Sequence, residues 1–205
     1  DAGQFPYLRT HPLTSERMAD MQSRHPPGAN PGQTAGVTSL EHAMVAARAR
    51  VLSNPGVDTL RQWVQEPQGI GFAAQPPQRR AAALYAAALG AQQLRDMAVA
   101  RSAVQKLEAL AQADPAALRL VRLLRAEIEL AAGDASAAQT ALPEAKGVGT
   151  NTRRPELLLR TRILLQSGQA SAGTGALQTW VANHPKDASA WQSPAAVWQA
   201  QGHGR

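Results

Sequence analysis

Three glycines, Gly133, Gly168 and Gly202, stand 35 and 34 residues apart. The first two close apolar helical runs, over residues 123–130 and 157–165, and continue as Gly133-Asp134 and Gly168-Gln169. Small residues follow each pair, with a leucine nine positions beyond each glycine, Leu142 and Leu177. A single pair of helices cannot bury its own apolar face, so units repeating at about 34 residues stack on their neighbours. This period restricts the chain to an all-α array of helical hairpins, an architecture that presents a long surface to a partner.

Composition agrees with close helix packing. Hydrophobic residues make up 44% but aromatics only 4%, so alanine, the best helix former, dominates and lets helices approach. No cysteine is present, which excludes disulfides and thiolate metal sites. No run of about 18 apolar residues exists, so no transmembrane segment is expected. The net charge of +6 is dispersed among Asp and Glu, with short pairs such as Arg79-Arg80 and Arg153-Arg154, and reads as a solvated surface. A nucleic-acid partner is not expected, because no basic stripe is interleaved with aromatics.

The repeat pattern resembles the tetratricopeptide family. Leu89-Gly90 matches the Leu-Gly pair of that repeat's first helix, followed by Ala103, Leu107, Leu110 and Pro115. The next unit supplies Ala126, Gly133, Ala138, Leu142 and Ala145, then a loose loop over 147–154. The one after supplies Leu157, Leu164, Gly168, Gly173, Leu177, Trp180 and Pro185. A last unit carries Trp191, Trp198 and Gly202, with Pro194 inside its helix, and lacks a second helix. Upstream, Ser39 caps a helix to about Leu52 with Leu40, Met44, Ala47 and Val51 on one face. After Asn54-Pro55-Gly56, a helix over 57–64 completes a degenerate first hairpin. A loop over 65–78 carries an apolar tip, Ile70-Gly71-Phe72, which either packs back on the array or contacts a partner. The resemblance implies a right-handed superhelix of about four hairpins over 39–205, the last truncated. Its concave face would bind protein or peptide segments through Arg95, Glu127, Arg162, Gln166, Gln192 and Gln199, with Leu130 and Leu165 among them. No Lys and Asn row suited to a C-terminal carboxylate is present.

Residues 1–25 form a unit of their own, and 26–38 read as a Pro- and Gly-rich linker. Thr10-His11-Pro12-Leu13-Thr14-Ser15-Glu16-Arg17-Met18-Ala19-Asp20-Met21 resembles the closing segment of Ste-type and HtpX-type zinc metallopeptidases, in which a His-Pro pair precedes an Arg that opens a helix. In layout the chain resembles the BepA-like, β-barrel assembly-enhancing periplasmic proteases. That resemblance implies that residues 1–25 are a loop-helix remnant of a peptidase domain. It implies that His11 lies near the zinc, as a tentative metal residue in the full-length enzyme, and that Arg17 orders the same loop. It further implies a periplasmic location, outer-membrane proteins or their assembly machinery as partners, and zinc as the full-length enzyme's cofactor. The family's His-Glu-x-x-His helix is missing: none of His11, His25, His42, His184 and His203 has a partner four residues on. The chain alone is therefore expected to hold no cofactor and to catalyse nothing. Its first residues, Asp1-Ala2-Gly3, are neither an initiator methionine nor a signal peptide, so it is expected to be a piece of a longer protein.

Overall fold

The computed structural model describes residues 39–142 and 153–188, all within one compact unit, Ser39–Arg205. Among the described residues the chain is helical throughout, with eight α-helices and no strand. The expectation of an all-α chain holds at that level.

Each helix begins where local chemistry lets it. α1 (Leu40–Leu52) is capped by Ser39, whose hydroxyl accepts from His42 N at 3.1 Å, and Glu41 opposes the helix dipole. α2 (Val57–Gln65) follows Gly56 and runs into two 3₁₀ turns, Glu66–Gln68 and Phe72–Ala74. α3 (Pro77–Gln93) and α5 (Pro115–Ala131) both start on a proline, whose missing N–H has no helical partner in the first turn. α4 (Met97–Ala111), α6 (Ala135–Ala141), α7 (Arg154–Gln166) and α8 (Ala170–Asn183) complete the set.

Three of the connections are one device repeated. The residue after α3, α5 and α7 that turns left-handed is Arg95 at φ 65°, Gly133 at 85° and Gly168 at 75°. The next N–H in each case donates back to a carbonyl of the helix just ended. These bonds are Asp96 to Ala91 at 2.9 Å, Asp134 to Glu129 at 2.9 Å and Gln169 to Leu164 at 2.8 Å. Asp96 and Asp134 then cap the following helix, accepting from Val99 N at 3.0 Å and Ala137 N at 2.8 Å. A helix stop and a helix start thus adjoin with no intervening loop, which folds α3 on α4, α5 on α6 and α7 on α8. The hairpins stack through α3 against α5 and α5 against α7, with α4 and α6 each packed against the helices on either side of them in sequence.

α3 is the axis of the first half. Residues 83–91 are buried without a break, and only a helix surrounded on every side can tolerate that. Its cover is α1, α2, α4 and α5. A Cβ on Gly90 would lie 3.5 Å from Val64 Cγ2 and 3.7 Å from Leu60 Cδ2, so α2 rests directly on that backbone. α5 separates two cores. Ala117, Val121, Leu124 and Ile128 face the core shared with α1–α4, while Leu123, Ala126 and Leu130 face a smaller one shared with α6 and α7.

Two expectations are corrected here. α1 and α2 do not form a first hairpin: each docks separately on α3, and α1 reaches on to α5. The reason is area. α2 fully buries only Leu60 and Val64, too little to cover Met44, Ala47 and Val51 of α1, whereas α3 offers apolar surface all round. Leu130, expected in an open groove, is instead 6% exposed within the second core. At the tip of the excursion after α2 the two apolar residues part company: Ile70 is fully exposed, while Phe72 packs against the first core.

Candidate functional site

The face of α3 and α5 that carries α1 is built from residues far apart in sequence. Tyr85 sits on α3, Arg119 and Glu127 on α5, Glu41 and Arg48 on α1. α1 turns its apolar stripe inward, with Met44, Ala47 and Val51 fully buried. Glu41 and Arg48, seven residues and two turns apart, run along the edge of that stripe. The Arg48 guanidinium forks onto the Glu127 carboxylate at 2.7 and 2.8 Å, and also donates to the Tyr85 hydroxyl at 3.2 Å. At the other end Arg119 donates to Glu41 at 3.0 Å and to Glu156 of α7 at 3.4 Å. On the opposite edge of α1, Arg50 stands 5.7 Å over the Trp63 ring.

The electrostatics follow from this geometry. The hydrogen bonds that Arg48 donates to Glu127 raise the Arg48 pKa further above its ordinary value. Burial raises the Tyr85 pKa, opposed by Arg48 beside it, so the phenol stays protonated beyond the usual range. The seam pairs a cation with a carboxylate at each end of α1.

A concavity of about 890 Å³ opens between α4, α5 and α6, with Val104, Ile128 and Ala141 among its lining. Four of its charges are paired, Arg101 with Glu129 at 2.6 Å and Arg125 with Glu108 at 2.7 Å, and Arg122 also lines it.

Of the residues singled out in the sequence, Glu127 lies on α5, where the Arg48 guanidinium of α1 binds its carboxylate. Arg95 occupies the left-handed turn between α3 and α4 and is exposed. Arg162 is exposed on α7. Gln166 donates to the Leu130 carbonyl at 3.3 Å, tying α7 to α5. Leu165 is partly exposed. His11, Arg17, Gln192 and Gln199 lie outside the described residues. Sequence reasoning missed Glu41, Arg48, Tyr85 and Arg119. The available signal was the alanine run of α3, which is apolar on too many sides to be left uncovered.

Among the described residues no three His, Asp or Glu side chains gather to hold a metal. The described donor set therefore does not fit a zinc centre. No helix there is long and apolar enough to cross a membrane. The chain matches no known protein family, no curated protein and no solved structure.

Proposed function

We propose that this chain is the protein-interaction portion of a BepA-like periplasmic zinc metallopeptidase of the Ste/HtpX type, and that it engages outer-membrane β-barrel proteins or their assembly machinery. In this reading the helices form a tetratricopeptide-like array, and cleavage belongs to a zinc centre supplied by another part of the enzyme. The observation that carries it is the stack of three hairpins joined by one turn, at Arg95-Asp96, Gly133-Asp134 and Gly168-Gln169. Turns recurring 38 and 35 residues apart, with stacked first helices, form an extended wall for a polypeptide partner. The segment around His11-Pro12 and Arg17, followed by an array in that order, supports the peptidase assignment.

The test is binding of a urea-unfolded β-barrel protein, diluted into buffer with the purified chain and followed by fluorescence anisotropy. Saturable binding, absent with an unfolded protein of unrelated fold, is expected; equal binding of both would refute the substrate assignment. In the full-length protein His11→Ala is expected to alter proteolysis without changing the array's helicity. Unchanged proteolysis and zinc content would remove His11 from the site.

A second reading is a non-catalytic repeat scaffold or chaperone-like adaptor, favoured by the missing His-Glu-x-x-His. Zinc bound by the full-length protein in one-to-one ratio would exclude it.

A further inference from the structure

We propose that α1 is an internal ligand of the α3/α5 face, and that the same face takes an amphipathic helix from a protein partner in its place. This deepens, and rests on, the reading of the chain as a protein-binding array. The partner helix carries a carboxylate and an arginine seven residues apart along one edge. Small or apolar residues stand three, six and ten positions after the carboxylate.

That description is read from how α1 is held. α1 is the one helix among the described residues that sits on two first helices of neighbouring hairpins without a hairpin partner of its own. It is self-contained: Ser39 caps its start, and Ser53 closes its end by donating from N and Oγ to the Arg50 carbonyl at 3.3 and 2.7 Å. Its link to α2 is the short stretch Ser53-Asn54-Pro55-Gly56, exposed except for the half-buried Pro55, in which Asn54 is left-handed at φ 62°. A helix capped at both ends by its own residues can open separately from the helices beneath.

The seat itself is specific. Tyr85 and Glu127 offer a hydroxyl and a carboxylate to one guanidinium, and Arg119 offers a guanidinium to one carboxylate two helical turns away. Between them lies the small-residue surface of α3, against which Met44, Ala47 and Val51 insert. Helix-in-groove recognition uses such anchors at i, i+3 and i+7. The charged ends fix direction and register, since a reversed or shifted helix would set like charges together. Tethered to the chain, α1 competes at a high effective concentration, so the wild-type face is largely self-occupied.

The test uses the full chain and a fluorescein-labelled peptide of residues 39–53. Arg48→Glu in the chain sets two carboxylates against each other and loosens α1, while leaving Tyr85, Arg119 and Glu127 on the face. The peptide is expected to bind this variant at least tenfold more tightly than it binds the wild type. A second peptide carrying Arg48→Glu is expected to lose at least tenfold on the same variant. In the wild-type chain, amide hydrogen exchange should be at least a hundredfold faster in α1 than in α3. The proposal fails if the variant keeps its helicity and binds neither peptide, or if it loses its helicity altogether. It fails equally if the variant dimerises through α1 of a second copy instead of taking the peptide, or if α1 and α3 exchange alike. Binding of unfolded β-barrel protein is scored separately. Loss of peptide binding with that binding intact sinks this inference alone, and the converse sinks only the substrate assignment.

Discussion

Arg95 performs at the end of α3 the task that glycine performs after α5 and α7, and this makes a reciprocal experiment possible. A left-handed conformation costs an L-residue about 1–2 kcal/mol, because Cβ crowds the following carbonyl oxygen. Glycine avoids that cost but loses more freedom on folding, an offset of about 0.5–1 kcal/mol. Arg95→Gly is therefore expected to stabilise the fold by roughly 0.5–1 kcal/mol. Nothing opposes this locally: Arg95 is exposed and lies beyond the last turn of α3, so no helix propensity is lost. The Asp96 cap is untouched. Gly133→Ala should do the opposite by a similar amount. A Cβ there meets no atom within 4 Å, so its effect is conformational and not a clash. For a chain of this length such changes shift Tm by about 1–4 °C in opposite directions. The assay is urea unfolding followed by circular dichroism at 222 nm, with the slope checked for constancy because repeat arrays can unfold in parts. A lowered midpoint for Arg95→Gly, or a raised one for Gly133→Ala, would refute the equivalence of the turns.

Other perturbations test the packing and the seam. Leu107 is fully buried in the first core, so Leu107→Ala should cost about 2–5 kcal/mol, whereas Val45→Ala, on the exposed side of α1, should stay within about 0.5 kcal/mol; equal effects in urea melts would contradict the assigned core. The Asp114 carboxylate accepts from the N–H groups of Ala116 and Ala117, both at 3.0 Å, and Asp114→Ala should lose about 1 kcal/mol of stability, seen as a lower urea midpoint. Tyr85 is raised from the ordinary 10.0 by burial, so its contribution is intact below pH 10 and is lost as pH rises through the folded value. Titration at 295 nm should show one of the two tyrosines ionising late, with that component absent in Tyr85→Phe. Both tyrosines ionising together in the folded chain would show that the phenol is not buried.

How much of this was legible depended on the range of the force responsible. α1 could be placed from Ser39 and the spacing of Leu40, Met44, Ala47 and Val51, and the turns at Gly133-Asp134 and Gly168-Gln169 from two residues each. In both cases the cause lies within a few residues: a cap oxygen reaching the next turn, or a backbone sign that glycine prefers. The prolines read differently: Pro77 falls in the loop expected over 65–78 and Pro115 closes a repeat unit, whereas each begins a helix, α3 and α5. Arg95, expected on the concave face, gave no sign of its left-handed turn, because an arginine there has no local preference for that conformation. The seat of α1 was not legible at all. An apolar stripe specifies that it will be covered, not by what, and α2, adjacent in sequence, was the natural but mistaken choice. The pair that decides the matter, Arg48 with Glu127, joins residues 79 positions apart. Nothing local to either residue marks the other, and only the three-dimensional stacking of α3 on α5 brings the two charges within reach.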